Sequence, residues 1–94
     1  MTFSKSSGLG ISVFNYPNPF REETTIKVYL PKDDFILIEV YDLAGKRILE
    51  EGKIDCEAGW HHFKLNAANL VSGSYMYTLR TNDSTITKRM TLVQ

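Results

Sequence analysis

The stretch "TTIKVYLPKDDFILIEVYDLAG", residues 24–45, contains two segments in which apolar side chains recur at every second position. These side chains are Ile26, Val28 and Leu30 in the first segment and Ile36, Ile38 and Val40 in the second. Alternation with a period of two is typical of β-strands that bury one face. Pro31 separates the segments, and Gly45 follows the second where a turn needs a positive φ. The stretch therefore predicts two strands, each bounded by a turn.

The same alternation extends to both sides of this stretch, with turn signals about every ten residues. We predict seven strands, over Ile11–Tyr16, Thr24–Leu30, Phe35–Asp42, Lys46–Ile54, Trp60–Asn66, Ser74–Thr81 and Thr85–Val93. The segment "AANLVSG", residues 67–73, predicts a short helical turn or a tight crossover. Many short strands with regular turn signals indicate an all-β sandwich.

Composition restricts the classes of function. The 94 residues suffice for one domain, and the Ser- and Gly-rich residues 1–10 read as a linker or an expression remnant. Eleven basic and eleven acidic residues cancel, which argues against binding to nucleic acid or to anionic membranes. The single cysteine, Cys56, has no partner for an internal disulfide. We expect a small side chain at a strand end, with its pKa raised by the flanking carboxylates.

The segment "NYPNPF", residues 15–20, interrupts the strands with two prolines. Pro17 and Pro19 lack an N–H group and fix φ, which predicts a stiff extended arm that passes from one sheet to the other. On this interpretation Tyr16 and Phe20 cover the open end of the core, and Asn18 bonds neighbouring backbone. An exposed "NPF" docking motif for a peptide-binding partner remains the alternative.

Five blocks of the sequence resemble one family from residue 11 to residue 94. In order they are "YPNPF", "TTIKVYLP", "IEVYDLAGKRI", "AGWHHFKLNAANLVSGSYMYTLRT" and "TKRMTLV". Together they resemble the C-terminal sorting domain of the type IX (Por) secretion system, which is similar to the Ig-like module of flagellar hook-capping proteins. The matching residues are Pro17, Asn18, Pro19, Phe20, Tyr41, Asp42, Gly45, Leu70, Gly73, Tyr75, Lys88, Arg89 and Met90.

The resemblance implies a seven-stranded, Ig-like antiparallel sandwich that performs no catalysis. Such a domain ends a larger exported protein, crosses the periplasm, and directs its cargo through an outer-membrane translocon to the cell surface or the extracellular space. A sortase-like peptidase removes many of these domains and couples the cargo to surface lipopolysaccharide. The last strand is the main recognition element, and the expected recognition residues are Gly73, Tyr75, Lys88, Arg89 and Met90. On this resemblance Met1 is not the natural start, and the chain is a piece of a longer protein.

Two departures from the family pattern affect the ends of the domain. Arg21, Glu22 and Glu23 add charge where the family often has "NPSTT", and the chain ends in Gln94 where a basic residue is frequent.

Physical reasoning gives four of the matching residues structural roles. Asp42 caps the turn in which Gly45 takes a positive φ. Gly73 permits a tight entry into the sixth strand. Tyr75 donates a hydrogen bond to upstream backbone, as in the tyrosine corner of Ig-type sandwiches.

No residue pattern predicts a cofactor or a reaction. His61 and His62 are adjacent on a strand, so their side chains lie on opposite faces and cannot hold one metal together. Asp33–Asp34 and Glu22–Glu23 would bind calcium weakly only if their two loops met. The sequence has no phosphate-binding glycine loop and no nucleophile elbow.

Several large side chains are predicted to point outward. They are Tyr29 and Trp60 on one sheet and Leu37, Tyr41 and Met76 on the other. They are either scattered surface residues or a contact surface for the cargo domain, a second copy or the translocon. A binding module for a glycan or a protein, acting through these aromatics, is the alternative function, and a purely structural linker is a third. The exposed last edge also allows weak self-association, which Lys88 and Arg89 would discourage.

Overall fold

The computed structural model describes residues 10–94, with the backbone alone at residue 54, and these residues form seven β-strands. In chain order the strands are β1 (Ser12–Tyr16), β2 (Glu23–Leu30), β3 (Asp34–Tyr41), β4 (Arg47–Cys56), β5 (Gly59–Asn66), β6 (Gly73–Arg80) and β7 (Thr85–Leu92). Each strand overlaps one predicted segment. Among the described residues no helix is long and apolar enough to span a bilayer. The proposed linker lies, apart from Gly10, outside the described residues.

The strands form two antiparallel sheets that face each other. One sheet has three strands in the order β1-β2-β5, and the other has four in the order β4-β3-β6-β7. The chain passes between the sheets after β2, after β4 and after β5. This arrangement confirms the predicted all-β, Ig-like sandwich.

The inward faces are the ones that the alternation predicts. The buried apolar side chains include Val13, Ile26, Val28, Leu30, Ile36, Ile38, Val40, Leu65, Tyr75, Tyr77, Leu79, Met90 and Leu92. A buried hydrogen bond joins the two sheets, because the Tyr77 hydroxyl donates to Asn15 Oδ1 at 3.2 Å. Asn15 Nδ2 in turn donates to the Thr24 hydroxyl at 3.2 Å. Burial raises the pKa of Tyr77 to about 12, so this hydroxyl remains a donor.

The turn between β3 and β4 has the predicted construction. Asp42 Oδ1 accepts from the N–H groups of Ala44 at 3.0 Å and Lys46 at 2.9 Å. Gly45 has a φ of 89°, a region that favours glycine.

The connection from β5 to β6 is a tight crossover and contains no helix among its described residues. Leu70 N–H donates to Ala67 C=O at 3.0 Å, which closes one turn. Gly73 begins β6 with a φ of 147°. The Tyr75 hydroxyl donates to Val71 C=O at 2.5 Å, so the expected hydrogen bond to upstream backbone is present.

Cys56 is buried at the end of β4. Burial is the main cause of its raised pKa, while Asp34 and Asp55 contribute less. The strand-end position is confirmed, but the predicted cause of the pKa shift is only secondary.

The two acidic loops do not meet. Glu22 and Glu23 lie at the start of β2, and Asp33 and Asp34 follow its end. Eight residues of extended chain separate the loops by roughly 25 Å, so they cannot share a calcium ion. Asp34 Oδ1 instead accepts from Asn82 Nδ2 at 2.8 Å and ties the β2–β3 loop to the β6–β7 turn.

Candidate recognition surface at the last strand

Strand β7 is an edge strand of the four-stranded sheet. Its inner edge pairs with β6 along the whole register, from Arg80↔Thr85 to Gly73↔Leu92. Residues 17–21, which we call the clamp loop, lie against its other edge and connect β1 to β2 in the opposite sheet.

Asn18 bonds the backbone of β7 through both ends of its side-chain amide. Its Nδ2 donates to Arg89 C=O at 3.3 Å, and its Oδ1 accepts from Thr91 N–H at 3.0 Å. A side-chain amide carries the same donor and acceptor as a peptide group. Asn18 therefore occupies the position that the backbone of an added strand would take.

Phe20 continues the contact with its backbone and its ring. Its N–H donates to Thr91 C=O at 3.0 Å, and its C=O accepts from Val93 N–H at 2.8 Å. These bonds form a parallel bridge between Phe20 and Leu92, and the ring is only 2% exposed. Arg21 then donates to Gln94 C=O. The clamp loop therefore closes the edge of β7 from Arg89 to the end of the chain.

The prediction that the proline segment crosses from one sheet to the other is wrong. Strands β1 and β2 pair in one sheet, from Ser12↔Tyr29 to Tyr16↔Thr25, so the proline segment is a hairpin loop. Both proline peptide bonds are cis. Phe20 covers the core as expected, but Tyr16 is 67% exposed and does not. Pro17 and Pro19 have no backbone N–H group to donate, whereas Asn18 and Phe20 form hydrogen bonds to β7, which is remote in sequence.

The exposed part of β7 carries two cations on opposite faces. Lys88 lies opposite Tyr77 on the inward face, and Arg89 lies opposite Met76 on the outward face. Both are exposed, and neither forms an ion pair with the described residues. The backbone groups of Arg89 and Thr91 that bond the clamp loop point away from β6. By alternation those of Thr87 point the same way.

The structure separates the five predicted recognition residues into two groups. Gly73, Lys88 and Arg89 are exposed, whereas Tyr75 and Met90 are buried cross-strand partners. In the folded domain a partner can touch the first group, while the second group supports the sheet. Sequence reasoning missed the contribution of Asn18 and Arg21 to this surface, because both act on backbone more than 70 positions away.

The outward residues of the four-stranded sheet surround an ion network. Leu37, Tyr41 and Met76 are each half-buried. Between them Glu39 is 8% exposed and accepts from Arg80 Nε at 2.8 Å and from Arg47 Nη1 at 3.1 Å. This face therefore combines half-buried apolar side chains with paired charges, and less apolar surface is exposed on it than the sequence indicates.

The histidines are separated as predicted. His61 Nε2 lies 2.6 Å from Glu57 C=O, and His62 is exposed on the other face. Within residues 10–94 no three His, Cys, Asp or Glu side chains are grouped as ligands of one metal ion.

The fold and this edge define a small Ig-like module with a surface closed by its own hairpin loop. The model of the secretion system C-terminal sorting domain family matches residues 15–93. The chain therefore belongs to this family, the sorting domains of type IX (Por) secretion, as the resemblance indicated. No curated protein matches the chain significantly.

Comparison with solved structures agrees on the fold. The crystal structure of dimeric latent PorU from Porphyromonas gingivalis is similar to this chain with a TM-score of 0.68 and 22% identity. The match covers 88% of this chain and 9% of that one. Membership of the family means that the domain marks a cargo protein for type IX secretion, with export to the cell surface or the extracellular space.

Proposed function

We propose that residues 11–94 form a non-catalytic sorting signal that the outer-membrane translocon reads at the exposed part of β7. The observation that supports this is the adjacency of Lys88 and Arg89 to the clamp loop. These two unpaired cations lie on either side of one strand edge, next to the clamp loop, so a partner lying along that edge could contact both.

The closed edge limits how a partner binds. Because Asn18 and Phe20 occupy the edge beyond Arg89, a partner strand could add only along Thr85–Lys88. The partner therefore reads mainly the side chains of Lys88 and Arg89. Charge complementarity requires acidic groups on the translocon at this contact.

The other steps of export are proposed from membership of the sorting-domain family. We propose that the parent protein crosses the periplasm, that its cargo precedes residue 11, and that residues 1–10 connect the two. A sortase-like peptidase would then separate the domain from its cargo.

A charge-reversal experiment tests the recognition surface. A cargo reporter is fused to the chain in a host with type IX secretion, and secreted reporter is compared between Lys88→Glu/Arg89→Glu and the native domain. We expect secretion to fall at least about tenfold, which corresponds to ~1.4 kcal/mol of lost binding. Substitution is preferable to deletion, because removing residues 88–94 would also remove the buried Met90 and Leu92.

The matched control places the same charge change at the other edge of the sheet. Lys46→Glu/Lys53→Glu alters two exposed lysines, and we expect normal secretion. Melting temperatures of the purified domains establish that both variants fold. Normal secretion of a folded Lys88→Glu/Arg89→Glu variant would show that β7 is not the recognition element.

A further inference from the structure

Four exposed aromatic side chains lie on the outer face of the three-stranded sheet, where three of them contact one another and the fourth, Tyr16, is joined to Phe14 through Lys27. The aromatic band consists of Phe14 and Tyr16 in β1, Tyr29 in β2 and Trp60 in β5. Tyr29 and Trp60 are cross-strand partners with ring centroids 5.3 Å apart, and the Phe14 ring lies edge-on to Trp60 at 6.1 Å. For this sheet the sequence analysis predicted only Tyr29 and Trp60 as outward aromatics, because the band requires β1 to pair with β2.

The outer face of the three-stranded sheet combines aromatic side chains with polar and charged ones. Its outward positions hold Ser12, Phe14, Tyr16, Glu23, Thr25, Lys27, Tyr29, Trp60, His62, Lys64 and Asn66. No aliphatic side chain is among them, so the apolar surface of this face is entirely aromatic. The four rings are 36–67% exposed, and the ladder places the hydroxyls of Ser12 and Thr25 and the imidazole of His62 at neighbouring outward positions.

Lys27 gives this face a positive charge next to the aromatic band. Lys27 Nζ lies 5.9 Å from the centroid of Phe14 and 5.8 Å from that of Tyr16, where ring faces attract a cation. The one carboxylate, Glu23, lies 3.7 Å from Lys64 Nζ, so this pair is neutral. Lys27 therefore has no acidic partner on the face, while it stands beside exposed rings.

We propose that the aromatic band binds a polysaccharide chain that contains acidic sugars. A pyranose ring presents a face of C–H groups that packs on an aromatic ring, and its hydroxyls bond polar groups at the ring margin. Trp60, 53% exposed, supplies the stacking surface, with Tyr29 beside it. Lys27 pairs with a sugar carboxylate.

The ring orientations restrict the ligand to a single flexible chain. Trp60 is inclined by 56° to Tyr29 and by 81° to Phe14, so the rings do not form one flat platform. A rigid crystalline glycan needs such a platform, whereas a soluble chain can stack one sugar on Trp60. This activity is separate from sorting, because the band lies on the sheet that does not contain β7.

The protein contains one tryptophan, so its fluorescence reports on the site directly. Hexagalacturonate is titrated into the full chain, with neutral cellohexaose as the second probe. We expect a saturable change of Trp60 fluorescence with hexagalacturonate, at least about tenfold weaker binding of cellohexaose, and weakening of the first by added salt.

Matched variants assign the contacts by calorimetry. Lys27→Ala is compared with Lys32→Ala, an exposed lysine in the loop after β2, and Trp60→Ala with Leu43→Ala, another exposed apolar residue. We expect at least about tenfold weaker hexagalacturonate binding for the first member of each pair and native binding for the second.

Three results would overturn the proposal. The first is no saturable change with either sugar. The second is equal affinity for both sugars, which would contradict the acidic ligand. The third is a dimer, seen by sedimentation and lost in Trp60→Ala, in a protein that binds neither sugar. None of these results bears on the secretion test at β7.

Discussion

Strands β7 and β4 are the two edges of one sheet, but different chemistry holds them in place. The edge of β7 is covered by the clamp loop through neutral amide and peptide groups and the ring of Phe20. Strand β4 pairs only with β3 among the described strands, with register shifts near each end of β3. An ion pair also holds β4 to β3, because Arg47 in β4 donates a hydrogen bond to the Glu39 carboxylate in β3.

The difference shows that one sheet protects its two edges by two methods. At β7 an added strand would meet the clamp loop over most of the C-terminal half. At β4 the register shifts and the charged residues Glu50, Glu51 and Lys53 discourage pairing. We therefore expect the stability of the β7 edge to depend on packing and hydrogen bonds, and the stability of the β4 edge to depend on pH.

Removing the Phe20 ring should have the largest effect. Phe20→Ala leaves a cavity between the clamp loop and the core, and we expect a loss of about 3–5 kcal/mol in unfolding free energy. Domains have only roughly 5–15 kcal/mol in total, so urea denaturation should show a marginally stable protein. Tyr16→Ala, at the end of β1 next to the clamp loop but exposed, should cost much less. Equal losses for the two variants would show that Phe20 does not anchor the loop.

Removing the Asn18 amide should have an intermediate effect. Asn18→Ala deletes two hydrogen bonds to β7, and we expect a loss of about 1–2 kcal/mol. Amide exchange at Thr91, followed by NMR, should accelerate with it. Asn69→Ala provides the control, because Asn69 is an exposed loop asparagine. Native exchange at Thr91 in Asn18→Ala would mean that the side chain does not hold this edge.

The ion network at β4 should have the smallest effect at neutral pH and a distinct dependence on acidity. Arg80, and after it Arg47, lower the pKa of the Glu39 carboxyl by hydrogen bonding, against burial that raises it. The unfolded chain therefore binds this proton more readily. The stabilisation is complete above about pH 4.5 and is lost as pH falls through the folded pKa.

Glu39→Gln tests this sign. We expect its melting temperature to be lower than native at pH 7 and to fall less between about pH 5 and pH 2. Glu51→Gln removes the same charge from an exposed side chain and should retain the native acid dependence. A native acid profile in Glu39→Gln would place the pH sensitivity elsewhere in the domain.

Local patterns were sufficient to predict most of the sandwich. Alternation of apolar residues identified the buried faces of β2, β3 and β6. The residue types of Asp42 and Gly45 identified the β3–β4 turn, and that of Tyr75 identified the hydrogen bond to backbone before β6. These features depend on contacts within a strand or across a few residues, which the sequence displays directly. The order of the blocks then indicated the family, which the sorting-domain match confirms.

The site was harder to predict because it depends on strand pairing. Whether residues 15–20 cross to the other sheet or return to the same one is decided by the β1–β2 ladder. Because the prediction chose the crossing, it missed both the clamp loop on β7 and the position of Phe14 beside Trp60. The same dependence explains the acidic loops, which β2 holds at opposite ends of the sandwich.

The bonds from Asn18 to β7 join residues 71 and 73 positions apart. A polypeptide still emerging from the ribosome, or one cut short before residue 91, cannot make both of them. The covered edge of β7 therefore forms only after residues 18 to 91 have been synthesised and have folded together. A translocon that binds this edge would therefore bind only a fully folded sorting domain, and incomplete cargo proteins would be excluded without a separate quality-control step.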